Sequence, residues 1–142
     1  MGEEPSVVLD TNVFVGAGFR RHSASARILE HVRSGDLRLV WNDDTFGETC
    51  HIVRKIPPLR WPEVEGLFRE ENRYDGPAHP DRFPWVPDPE DRKFLALAAE
   101  TGATLVTSDD HLLSGRENAP VSILTPGEFL RRHKPAPSEK TD

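Results

Sequence analysis

The sequence predicts a three-layer α/β/α domain built on a central, mainly parallel sheet of about five strands. Short apolar runs, Ser6-Val7-Val8-Leu9 and Thr104-Leu105-Val106-Thr107 among them, alternate with stretches whose apolar residues recur at helical spacing. Two of these runs stop at an aspartate, Asp10 and Asp109. In such sheets the carboxyl ends of the strands carry the functional residues.

Each element has a local cause. The run at 6–9 is apolar and valine-rich, and it ends at the polar turn Asp10-Thr11-Asn12. Residues 16–25 read as a basic loop with Arg20, Arg21 and His22. A helix follows over 25–33, where Ile28, Leu29 and Val32 share a face and Ser34-Gly35 is the stop. Residues 37–41 form a second strand. Asn42 or Asp43 can cap a helix over 44–56 with an apolar stripe of Phe46, Cys50 and Val53, which Pro57-Pro58 ends. Trp61-Pro62-Glu63 opens a helix predicted to reach residue 72, packing through Val64, Leu67 and Phe68.

The proline-rich stretch 74–87 is a long loop that could hold a short strand at 83–86. Asp88-Pro89-Glu90-Asp91 opens a helix that runs through Phe94, Leu95 and Ala98 to Gly102. The next strand, 104–107, is followed by a helical turn after Asp109, a strand at 121–124, and a last helix over 126–133 capped by Thr125. One domain is expected over 1–133. The polar, proline-containing tail at 134–142 is expected to be disordered.

Composition narrows the function classes. The chain has 142 residues with 24 acids against 18 bases, fourteen of them arginine, for a net charge of −6. That charge argues against long-range attraction to nucleic acid, though not against nucleic acid as a substrate held by arginines around a cation-loaded acidic site. The single cysteine, Cys50, excludes an intrachain disulfide framework and fits a reducing compartment. No apolar run approaches the length of a membrane span, and the acidic start Met1-Gly2-Glu3-Glu4 lacks the pattern of a signal peptide, so a cytoplasmic location is expected. The histidines form no HExxH zinc motif, and neither a nucleotide-cradling glycine loop nor a serine elbow is present.

Four acids stand where acids are costly. Asp10 and Asp109 follow strands and would share a rim if those strands are neighbours, with an Asx turn or a helix cap as the plain alternative for each. Asp91 shares a helix face with Phe94, Leu95 and Ala98, while Asp88 is placed to cap and the pair also resembles a capping box. Glu48 flanks the apolar stripe of its helix and reads equally as an exposed acid. Carboxylates gathered at one rim repel each other, and divalent cations resolve the conflict; oxygen-only ligands suit Mg²⁺ or Mn²⁺, one ion or two.

Taken in order, Val7-Val8-Leu9-Asp10-Thr11-Asn12-Val13-Phe14-Val15, the helix bearing Glu48, Asp88-Pro89-Glu90-Asp91-Arg92-Lys93-Phe94-Leu95, and Leu105-Val106-Thr107-Ser108-Asp109 resemble a PIN-domain nuclease over about residues 5–132. Within that family the chain looks closest to the toxin branch of toxin–antitoxin pairs, the VapC-like ribonucleases. The resemblance implies a metal-dependent endoribonuclease that cleaves RNA phosphodiester bonds by metal-activated water. It maps the catalytic acids to Asp10, Glu48, Asp91 and Asp109. Asp10, Asp91 and Asp109 would hold Mg²⁺ or Mn²⁺ directly, and Glu48 would act through water. Asn12, Thr107 and Ser108 would support the site. The chain departs from the family pattern at His111, where a further acid is common, with Asp110 beside it, and at Thr49-Cys50-His51, where aliphatic residues are usual.

Single-stranded or looped RNA is the favoured substrate, since an unpaired chain can bend its phosphate down to an acidic rim. Arg20, Arg21, Arg54, Lys55, Arg92 and Lys93 are candidate backbone contacts, each with a solvated helix face as its alternative. Trp41, Trp61 and Trp85 are candidates for base stacking or for core. The likeness also implies a homodimer and an antitoxin partner. Competing readings are a PIN-fold RNA- or protein-binding module with little catalysis and a structure-specific DNA nuclease. A haloacid-dehalogenase-like phosphohydrolase is disfavoured because Asn12 stands where its second aspartate belongs, and a receiver domain because no lysine ends a late strand.

Overall fold

The computed structural model describes residues 5–133; the tail at 134–142, expected to be disordered, lies outside them. Four strands, β1 (Ser6–Leu9), β2 (Arg38–Leu39), β3 (Thr104–Val106) and β4 (Ile123–Leu124), form one sheet in the order β2-β1-β3-β4. All three pairings are parallel. Seven α-helices accompany them: α1 (Thr11–Phe19), α2 (Ala24–Ser34), α3 (Asp43–Arg54), α4 (Trp61–Glu65), α5 (Arg92–Thr101), α6 (Asp110–Leu113) and α7 (Pro126–Arg132).

The period of two along each strand makes the layers. Val7, Leu9, Leu39, Val106 and Leu124 face one core with α1, α2, α3 and α7, whereas Val8, Leu105 and Ile123 face a second core with Phe94, Leu95 and Leu97 of α5. Both strands at the centre are therefore covered on both sides, as parallel sheets require. Sheet and helix ends follow ordinary chemistry. Ser23, Asn42 and Thr125 cap α2, α3 and α7 with their side chains, and α5 stops at Gly102, whose φ of 76° lies in the left-handed region.

Three expectations change. Residues 16–19 are not loop but the end of α1, which starts directly after Asp10. Gly16 and Gly18 weaken helix propensity, yet Gly18 lets α1 approach its neighbour: a Cβ there would collide with Leu59. The helix expected over 61–72 stops at Glu65. Beyond it the chain is drawn away by backbone pairing with Trp41, which donates to Asn72 O at 3.4 Å and accepts from Tyr74 N at 2.7 Å. Arg69 then donates to Val32 O and Arg33 O at the end of α2.

Residues 83–86 form turn rather than a fifth strand, so the sheet has four strands among the described residues. Pro84 and Pro87 cannot donate to a ladder, and Phe83 and Val86 instead bury their side chains against α5. No helix among the described residues is long and apolar enough to cross a membrane.

Candidate active site

The pairing of β1 with β3 answers the adjacency question. Leu9 lies opposite Val106, and Asp10 N donates to Val106 O at 3.0 Å, which sets Asp10 beside Thr107 at the carboxyl rim. Asp10 is 5% exposed and makes no side-chain capping bond to α1. Thr107, fully buried, is the link between the two strand-end acids: its Oγ1 donates to Asp10 Oδ2 at 2.6 Å and accepts from Asp109 N at 2.9 Å. Asp109 also fulfils the plain reading, since its Oδ1 accepts from His111 N at 3.0 Å and caps α6.

Asp91 stands at the junction between a 3₁₀ turn (Pro89–Asp91) and α5, and Asp88 takes the capping role by accepting from Glu90 N at 3.0 Å. Asp91, Asp109 and His111 offer ligand atoms within 4.8 Å of one another. His111 is exposed, with its Nδ1 3.9 Å from Asp109 Oδ1. Glu48 reaches the rim through α3, which is tied to α1 by a buried hydrogen bond of 2.8 Å between the hydroxyls of Thr49 and Thr11. Its Oε1 accepts from Lys93 Nζ at 3.1 Å, and the same ammonium donates to Glu90 Oε1 at 2.8 Å.

The electrostatics report crowding. Burial pushes the Asp10 carboxyl up to about 6, with Asp109 and Glu48 adding to the rise and the Thr107 hydrogen bond opposing it. Asp91 is pushed up to about 8, first by burial, then by its hydrogen bond with Asp109 and the charges of Asp109, Asp10 and Asp88. Two carboxyls so raised mark a place where negative charge exceeds what the protein offsets. A divalent cation with hard oxygen ligands fits a set of carboxylates; the ligand atoms close enough together to share one ion are those of Asp91, Asp109 and His111, and Asp10 is joined to Asp109 through Thr107.

The remaining candidates divide by what they touch. Asn12 Oδ1 faces Ser108, at 3.5 Å from its backbone nitrogen and 3.4 Å from its hydroxyl. Arg20, Arg21, Arg54 and Lys55 are exposed at the ends of α1 and α3. Arg92 is engaged within the chain, donating to Val86 O and Pro84 O. Trp41 and Trp61 are buried in an aromatic cluster with Phe46 and Phe68, and Trp85 lies half-buried over Gly115. The pairing of Lys93 with Glu48 had no signal in the sequence, because the two residues lie 45 positions apart on different helices.

A groove of about 350 Å³ between α1, α2 and the turn before α4 contains none of the four acids.

Comparison with known proteins agrees with this architecture. The fold is similar to that of FitAcB from Neisseria gonorrhoeae, at 17% identity over 85% of this chain and 98% of that one, with a TM-score of 0.56. It is also similar to PAE2754 from Pyrobaculum aerophilum, at 16% identity over 89% of this chain and 94% of that one, with the same TM-score of 0.56. No curated protein matches the sequence. A family model described as PIN domain matches residues 6–111, three-quarters of the chain and all four rim acids. The chain belongs to the PIN domain family, whose members are commonly nucleases.

Proposed function

We propose that this protein is a metal-dependent endoribonuclease that hydrolyses RNA phosphodiester bonds, and that it serves as the toxin of a toxin–antitoxin pair. The observation that carries the reading is the convergence of Asp10, Asp91, Asp109 and Glu48 on one rim, with Asp10 and Asp91 pushed far above ordinary carboxylate values. Membership of a family commonly made of nucleases supports phosphodiester hydrolysis. The toxin assignment rests on the likeness of the motifs to the VapC branch.

Asp10, Asp91 and Asp109 would hold Mg²⁺ or Mn²⁺. When bound, the cation supplies charge against the developing negative phosphate oxygens and acidifies water. The chain's own residues do the positioning. Thr107 holds Asp10 Oδ2 and the backbone of Asp109, which fixes the two strand-end acids relative to each other. Glu48 stands ready to orient the attacking water, and Asn12 with Ser108 lines the approach. Arg20, Arg21, Arg54 and Lys55, exposed at helix ends, would meet the phosphate backbone, whereas Arg92 and Lys93 are engaged within the chain on Val86 O and Pro84 O and on Glu48 and Glu90. A single-stranded or looped RNA is the substrate, a homodimer the working assembly, an antitoxin the regulatory partner and the cytoplasm the compartment.

The test is cleavage of an end-labelled single-stranded RNA by the purified protein in Mn²⁺, Mg²⁺ or EDTA, beside Asp10→Asn. Metal-dependent cutting that is absent from the variant is the expected result. RNA retention without cutting in any metal would overturn it in favour of a binding module, and cutting of DNA flaps alone would redirect it to a structure-specific nuclease.

A further inference from the structure

One cation at the acidic rim belongs to the chain itself. Lys93 Nζ lies 3.1 Å from Glu48 Oε1 and 2.8 Å from Glu90 Oε1, and the Lys93 and Glu48 side chains are only 19% and 27% exposed. Among the described residues no other lysine or arginine pairs with Asp10, Glu48, Asp91 or Asp109. The four acids are therefore divided. Glu48 already has a positive partner in Lys93, while Asp10 is held by the Thr107 hydroxyl and Asp91 has ligand atoms of Asp109 and His111 within 4.8 Å.

An ammonium at hydrogen-bond distance from a carboxylate oxygen occupies one side of that oxygen and repels any dication that would share it. Lys93 follows Asp91 by two residues, so it is carried by the same rigid helix start that carries an acid of the other group. Glu90 accepts a second hydrogen bond from the same ammonium, so Lys93 is held between two carboxylates and is only 19% exposed.

We propose that Lys93 is a resident counter-ion that limits the RNA-free protein to one divalent cation, held at Asp10, Asp91 and Asp109, and keeps Glu48 out of direct metal ligation. This rests on the metal-dependent reading above. Glu48 then acts as an orienting group whose position is set by Lys93, and Lys93 is a positioning residue rather than an RNA contact.

The experiment counts Mn²⁺ bound to the full chain without RNA, by calorimetry and by electron paramagnetic resonance. Wild type and Lys93→Arg should bind one Mn²⁺ per chain. Lys93→Met and Lys93→Gln should bind two, with the spectrum of a coupled pair, and adding Glu48→Gln to either should return the count to one. Two ions in wild type, or one in a folded Lys93→Met or Lys93→Gln, overturns the proposal while leaving metal dependence standing. Failure of every form to bind Mn²⁺ overturns the metal reading and this proposal with it. Circular dichroism of each variant establishes folding, and the wild-type count decides against the proposal even if both neutral variants misfold.

Discussion

Two carboxylate sites at the edge of the same parallel sheet behave in opposite ways. Past β4, Glu128 accepts from Arg116 at 2.8 Å and from Thr125 N at 2.9 Å, and the Arg116 hydrogen bond, with help from Thr125, holds its carboxyl down at about 2. Past β1 and at the start of α5, burial and neighbouring acids push Asp10 to about 6 and Asp91 to about 8. The first arrangement gives each carboxylate oxygen a donor and stabilises the charged form. The second buries charge next to like charge, which costs stability unless something positive arrives from outside. One site serves the fold; the other sets up a function at the fold's expense.

The comparison can be broken most sharply by removing charge. Asp10→Asn and Asp91→Asn should lower metal-dependent RNA cleavage more than about 100-fold, because even partners that only orient metal ligands cost 10–100-fold. Glu128→Gln should cleave like wild type. Thermal melts in EDTA separate the roles: the Asp variants should hold or gain stability, and a collapse of their melts would make the acids structural.

Acidity gives the second test, and the sign differs between the sites. Asp10 and Asp91 have raised values, so the stability linked to their protonation is complete below about pH 4 and is lost as pH rises through about 6 for Asp10 and about 8 for Asp91. For Asp10 the loss is about 3 kcal/mol, from a rise of about two pK units at 1.36 kcal/mol each. Glu128 has a lowered value, so its contribution is present above about 4.5 and is lost as pH falls through about 2. Metal-free melting temperature should therefore pass through a maximum in mild acid, and saturating Mn²⁺ should flatten the alkaline limb while leaving the acid limb in place.

Smaller effects sharpen the picture. Thr107→Val removes the hydroxyl that joins Asp10 to the Asp109 backbone, and cleavage should fall about 10–100-fold with weaker Mn²⁺ binding in calorimetry. Thr125→Ala removes only the cap of α7, so urea unfolding should show a loss of about 1 kcal/mol with cleavage unchanged.

Much of this was legible because its causes are local. Valine-rich runs ending at Asp10 and Asp109, caps at Asn42 and Thr125, and Gly102 at a helix end each leave a mark within a few residues. The second half of α1 was hidden by Gly16 and Gly18, whose low propensity reads as loop although the missing Cβ at Gly18 serves close packing against Leu59. The length of α4 was misjudged because the competing force is tertiary, the backbone pairing of residues 72–74 with Trp41. At the rim, the aspartates announced themselves as costly residues, and the β1–β3 pairing supplied the adjacency that spacing alone lacked. Lys93 gave no such sign, since a lysine on a helix looks the same whether it meets water or Glu48.

The hydrogen bond from Thr107 to Asp10 spans 97 residues of chain. During synthesis β1 emerges early and must wait for β3 to be made before its aspartate has a neighbour. A nascent or prematurely terminated polypeptide ending before Asp109 lacks part of the acid set whatever else of it has folded. Assembly of the full acid set is thereby postponed until most of the domain has been synthesised.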